Sequence, residues 1–396
     1  PKHFKIIEGG DGKSFQEVPL DSLSAYILPR LSETAHLSIL LGSGSSLPAI
    51  PQMKTTFEDF KKSKPTGMRH LLNLYSADKS HDSTNIEEFL SWLGNRLNGL
   101  AQKEIKEEKT IRDSLETSLV DSISGGFTRD YEAMERQSVD DIPQNGDLMD
   151  NPGTTEIVYE AFFRRIARLR ENTRVSDDAI NIFTTNYDLF VENSLDRLNY
   201  AYTDGFRQKL RPEFNITEYS RRPVDVARRF RDHWSPVTPF FKVYKLHGSL
   251  NWRRQGETII RTSDWASKDA IVIAPTSSKY ADSQGAPYSD LFRELSIELL
   301  RPNTTLIING FGFGDDHINE LLRQAVGRDD FAMIAFVDET ESKVKDFMQK
   351  VSGNPKATFI TNGKDNDSAH HFNTLADLIA YEDPFENHSE EDTNAE

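Results

Sequence analysis

Ile180-Asn181-Ile182-Phe183-Thr184-Thr185-Asn186-Tyr187-Asp188 changes character in its middle. The first half is a short apolar, β-favouring run of the kind buried in a sheet, and the second half abandons that pattern for Thr-Thr-Asn-Tyr-Asp. An amide and a carboxylate therefore emerge together at a strand's carboxyl end, the edge at which open α/β sheets bind ligands. A competing reading has Asn186 and Asp188 simply capping the helix that follows. The neighbours of this stretch along the chain decide between the two.

Upstream, His36-Leu37-Ser38-Ile39-Leu40-Leu41 reads as a second buried strand running straight into Gly42-Ser43-Gly44-Ser45-Ser46-Leu47-Pro48. Glycines let the main chain approach a ligand, hydroxyls and amide NH groups can face a phosphate, and Pro48 suits the start of a helix. The pattern lacks the third glycine of a dinucleotide fingerprint, which Leu47 replaces, and no Gly-Lys-Ser/Thr follows to make a P-loop. Residues 1–36 read as a leader with a short helix around Leu20–Leu31. Between the two strands the pattern is helical, with candidates at Ile86–Leu100, Lys103–Ser124 and Thr154–Leu169, and a polar, acidic loop at 137–153. These make a helical insertion of about residues 85–175.

Downstream, after an arginine-rich connection, Phe241–Leu246 alternates as a strand and delivers His247-Gly248. Ala270–Ala274 is a further strand candidate, and Leu291–Leu300 an amphipathic helix. Thr304–Asn309 feeds Gly310-Phe311-Gly312-Phe313-Gly314-Asp315-Asp316, where the aspartates suit a helix start. Ala332–Val337 ends in Asp338, 24 residues beyond Gly314. An acid at that spacing either holds a ribose or caps the next helix. Ala357–Thr361 and Leu375–Tyr381 supply a last strand and helix, His370-His371 has no partner at metal-ligand spacing, and 383–396 is an acidic tail of disordered composition.

The alternation of strands and helices predicts an α/β fold: a Rossmann-like parallel sheet with helices on both faces and an inserted helical subdomain. Lys and Arg total 47 against 63 Asp and Glu, a net charge of −16, which opposes general attraction to nucleic acid or anionic lipid. The basic 207–231 segment is interleaved with acids and reads as a solvated face or a subunit contact. There is no cysteine, so disulfides, thiolate metal sites and cysteine nucleophiles are excluded. No run approaches the roughly 20 apolar residues that span a bilayer, and a cytoplasmic protein is expected.

Taken in order, Gly42-Ser43-Gly44-Ser45, Thr185-Asn186-Tyr187-Asp188, His247-Gly248 and Gly310-Phe311-Gly312-Phe313-Gly314 resemble the sirtuin family, and more closely the bacterial sirtuin-like NAD hydrolases of anti-phage defence. The resemblance spans His36 to about Tyr381, so it implies a catalytic NAD-binding domain over 37–382. It implies that Gly42, Ser43, Gly44, Ser45 and Ser46 line the NAD phosphates, with Thr185 in the same cofactor site. Asn186 and Asp188 would sit beside the nicotinamide ribose, and His247 would be the catalytic base. Gly312, Gly314 and Asp338 would hold the adenosine half. Two departures count against acyl-lysine removal. The four-cysteine zinc module of deacylating sirtuins cannot be built, so no zinc is expected, and Pro51-Gln52-Met53-Lys54 stands where that family carries Pro-Asp-Phe-Arg. The implied activity is hydrolysis of NAD to nicotinamide and ADP-ribose by a defence effector. The implied partners are further copies of the chain in a ring and a HerA-like DNA-translocating ATPase. Two other readings stay open on the residues alone: a non-enzymatic module sensing NAD or ADP-ribose, and a metal-dependent nuclease subunit using the aspartates and the 207–231 segment.

Overall fold

The computed structural model describes residues 3–9, 15–63, 65–77, 86–99, 105–135, 153–171, 177–230, 233–265, 270–272, 286–363 and 369–379, with Thr173 and Val175. Its strands, in chain order, begin with β1 (His3–Gly9), β2 (Gln16–Pro19), β3 (His36–Leu41), β4 (Ile180–Thr184) and β5 (Ala201–Thr203). Next come the hairpin β6 (Val224–Phe230) and β7 (His233–Pro236), then β8 (Phe240–Lys245) and β9 (Gly248–Ser249), then the hairpin β10 (Trp252–Gln255) and β11 (Thr258–Arg261). The last are β12 (Ile271–Val272), β13 (Thr304–Asn309), β14 (Phe331–Phe336) and β15 (Asn354–Asn362). Nine of them form one mixed, mostly parallel sheet in the order β2-β1-β15-β14-β13-β3-β4-β8-β5.

The central strands are mainly apolar because both faces of a parallel sheet are covered. Alternate side chains enter opposite cores. Leu37, Ile39, Ile182 and Ile307 join one cluster with Tyr159 and Phe162. Leu40, Phe183, Leu306 and Ile308 join the other, with Leu295, Leu322 and Phe347. The α/β fold with helices on both faces, expected from the alternation, is what the structure shows.

The helices that precede β4 are α1 (Leu20–Ser32), α2 (Met53–Lys62), α3 (Met68–Ala77), α4 (Ile86–Gly99), α5 (Ile105–Glu135) and α6 (Thr154–Glu171). Helices α2 to α5 carry a separate core built on Phe57, Leu71, Tyr75, Phe89, Leu93, Ile111 and Leu115. The helical subdomain thus starts near residue 53, earlier than 85, and α6 packs on the sheet instead. Pro48 does not start a helix, since α2 begins at Met53. The first 36 residues supply two strands besides the helix α1: β1 pairs antiparallel with both β15 and β2, and Phe4, Leu23, Ile27 and Leu31 are buried in the main core. Of the strand expected over 270–274, Ile271–Val272 pairs with β9 in a two-stranded sheet, and 273–274 lie outside the described residues. The arginine-rich connection folds in part as the β6–β7 hairpin, while the 383–396 tail lies outside the described residues.

Behind the sheet, Glu156 in the first turn of α6 is fully buried, with Ser194 Oγ donating to its Oε1 at 2.8 Å. Burial pushes its carboxyl up to about 8, the charge of Asp130 adding to the effect and hydrogen bonds from Ser194 and Asn193 opposing it. A carboxyl with a raised folded value favours folding fully below its ordinary value, and that contribution is lost as pH rises through the folded value. Stability should therefore decline between about pH 4.5 and 8, by a few kcal/mol at about 1.4 kcal/mol per pKa unit. Glu156→Gln should flatten that decline in urea titrations across the window; an unchanged slope would show that other groups cause it.

Candidate active site

Register decides which residues meet. Parallel pairing aligns Phe336 with Asn309, Asn309 with Leu41, Leu41 with Thr184 and Thr184 with Lys245, so five adjacent strands end in one row. Each end runs into a motif: Val337-Asp338, Gly310–Asp315, Gly42–Ser46, Thr185–Asp188 and Leu246-His247. Strand β3 has β4 on one side and β13 on the other, so connections diverge at β3, the place where such sheets open a crevice. The crevice is a cleft of about 590 Å³, within the range of roughly 300–1,000 Å³ usual for small-molecule sites.

Of the residues expected at the site, Ser43, Gly44, Ser46, Thr185, Asn186, Asp188, His247, Gly312, Gly314 and Asp338 all line this cleft. Gly42 and Ser45 stand just behind the lining. The Gly42 carbonyl accepts from Asn186 Nδ2 at 2.9 Å, and Ser45 Oγ donates to the Asn309 carbonyl at 3.2 Å. The turn Ser43–Ser46 is a single 3₁₀ turn whose Gly44 and Ser45 amides already donate to the carbonyls of Gly310 and Gly42.

Ser46 is the hub under the cleft. Its hydroxyl donates to Asp188 Oδ2 at 2.7 Å, receives Asn186 Nδ2 at 2.9 Å, and meets the Tyr159 hydroxyl at 3.2 Å. Asp188 Oδ1 accepts the amide of Phe190, the first residue of α7 (Phe190–Arg197), so this cleft residue also takes up a backbone amide at the start of that helix. Its carboxylate is directed at Ser46 and the start of α7, and burial pushes its carboxyl up against the pull of Lys245 and Ser46. Lys245 Nζ also donates to the Asp188 carbonyl and lies 3.4 Å from Glu192. Asp188 thereby fixes the first glycine turn against the segment after β4. The Asn186 amide is oriented by the Gly42 carbonyl, which can only accept; that leaves Oδ1 as a buried acceptor without a partner among the described residues. Such an atom suits a ribose hydroxyl or a held water.

Opposite stands His247, buried, with Nε2 3.0 Å from Asp315 Oδ2. Asp315 also caps the helix Asp316–Ala325, its Oδ1 accepting from the amides of His317 and Ile318. The capping role is legible in the sequence, and the contact with His247 is not.

At the far end of the cleft, Asp338 receives the amide and hydroxyl of Thr340 through Oδ1. Burial alone would raise its carboxyl, but the Thr340 hydrogen bonds outweigh burial and hold it below the ordinary value. Glu341 lines the cleft beside it, its carboxyl raised by burial and by the charge of Asp338. His370 lines the same end and is pulled down by burial. Neither stands out in the sequence as a site residue; both lie close to recognisable features, but only the fold brings them to the rim.

Residues 180–353 match the family model of the SIR2-like domain. That match supports a sirtuin-like family, whose domains are in general NAD-dependent enzymes. The SIR2-like region holds Thr185, Asn186, Asp188, His247, Gly312, Gly314, Asp315 and Asp338, while β3 and its glycine turn precede it and enter the site by strand pairing. No curated protein matches the chain. Among the described residues no helix is long and apolar enough to cross a membrane, and no group of three or more His, Asp or Glu side chains is placed to hold a metal ion.

Proposed function

We propose that the cleft hydrolyses NAD to nicotinamide and ADP-ribose, and that the chain is an anti-phage defence effector that depletes NAD. The observation that carries the chemistry is the shared cleft of Asn186, whose Oδ1 has no partner among the described residues, and the His247–Asp315 pair, beside two glycine turns. Nicotinamide in NAD is already a cationic leaving group, so the C1′–N bond breaks with its electrons passing to the ring and no acid is required. The difficulty lies in the oxocarbenium-like ribose and in the water that traps it. Asn186 Oδ1 can orient a ribose hydroxyl or that water, and His247 can take the proton as the new C–O bond forms. An imidazole with an ordinary value of about 6.5 suits proton transfer near neutrality.

The defence role, assembly into homo-oligomeric rings and pairing with a HerA-like ATPase are supported by the likeness of the strand-end motifs to sirtuin-like defence hydrolases. Incubating the chain with NAD, alone and with such an ATPase or phage components, should release free nicotinamide in at least one condition. Tight NAD binding with no release in any of them would favour a sensing module instead.

A further inference from the structure

We propose that Asp315 is the positioning residue of this site: its carboxylate sets the tautomer and the orientation of the His247 ring, while the helix it caps holds the carboxylate in place. The role rests on the assignment of NAD cleavage to this cleft, because a base needs its lone pair on a defined nitrogen.

Two contacts on different oxygens make the case. Oδ1 receives the amides of His317 at 3.0 Å and Ile318 at 3.1 Å, and Oδ2 faces His247 Nε2 at 3.0 Å. The amides at a helix start favour an anion, so Asp315 is held as a carboxylate, which only accepts hydrogen bonds. Nε2 must then carry the hydrogen, and the lone pair resides on Nδ1. His247 and Asp315 are each 5% exposed, so water competes little for the contact. Phe292, on the helix Tyr288–Leu299, flanks the ring at 6.3 Å and is itself stacked on His317 at 4.4 Å. The carboxylate thus links the glycine turn after β13 to the base delivered by β8, across the ends of the intervening β3 and β4. Other titratable groups face the same space: Lys54, Asp188, Asp338, Glu341 and His370 line the cleft, and His317 and Asp316 belong to the helix start.

The test compares Asp315→Asn and Asp315→Ser in the full chain. Both residues cap helices well, so the fold should persist. In Asp315→Asn the side-chain oxygen can keep the backbone amides while the NH₂ donates to the ring, selecting the opposite tautomer. With NAD as substrate, kcat should fall by at least about tenfold with KM within about twofold. The acid limb of the pH–rate profile should move to lower pH, since a charge that favours the protonated ring is gone. Asp315→Ser should lose kcat to a comparable degree at unchanged melting temperature. A lowered melting temperature with kcat and pH profile intact would reduce Asp315 to a helix cap and overturn the proposal. Nitrogen NMR of the His247 ring separates this from failure of the assigned reaction. The wild-type ring should be the Nε2–H tautomer and the Asp315→Asn ring should not; the same tautomer in both would also overturn it.

Discussion

Replacing His247 with alanine should lower NAD hydrolysis by about 10²–10⁴-fold, the range general-base catalysis usually supplies, while leaving the chain folded. The reason is position. His247 is the first residue past Leu246, whose amide still pairs with the Thr184 carbonyl at 2.9 Å, so strand pairing fixes its backbone while its side chain reaches the cleft. Truncation removes the proposed proton acceptor and leaves Asp315 held by the two helix amides, so the helix cap survives. Circular dichroism and melting should resemble wild type within a few degrees. Asn186→Ala should be comparably inactive but less stable, because its amide also ties Gly42 to Ser46. Near wild-type turnover in both variants would remove the proposed site.

The second large effect concerns stability. The two glycine turns interlock backbone to backbone: a Cβ on Gly42 would lie 2.4 Å from the Gly310 carbonyl oxygen, and a Cβ on Gly310 would lie 2.2 Å from the Ser45 amide nitrogen. Gly310 also has φ +66°, a conformation unfavourable for any side chain. Neither clash can be relieved by rotating a side chain, because the obstacles are main chain. Gly42→Ala and Gly310→Ala should each destabilise the fold by on the order of 3 kcal/mol or more, read as a fall in the urea midpoint. Gly314→Ala is the contrast, since a Cβ there meets nothing within 4 Å among the described residues and should cost little. Equal urea midpoints for all three variants would show that the turns do not lock as described.

These two sets of residues also show how far the sequence can lead. Strands β3, β4, β13 and β14 are legible as mainly apolar runs covered on both faces and β8 as an alternating run, and their ends are legible because each breaks into glycine or polar residues. Register cannot be seen from such runs. The row of strand ends that gathers Asn186, His247 and Asp338 therefore becomes visible only with pairing. β1 and β2 escape notice because they are antiparallel strands at the sheet's edge, with Lys5, Glu8 and Glu17 diluting their apolar signal. Tyr159 lies inside the helix expected over Thr154–Leu169 with nothing local to single it out, yet its hydroxyl meets Ser46 beneath the cleft. Asp315 hides behind a sufficient local explanation: a helix cap needs nothing further, and its second oxygen contacts a residue 68 positions away.

The measurement that bears most directly on the account is a product balance on purified protein under activating conditions. Wild type should yield one free nicotinamide and one ADP-ribose for each NAD consumed, and the Asn186→Ala/His247→Ala double variant should yield neither. Consumption of NAD that persists in the double variant, or that leaves no free nicotinamide, would contradict it.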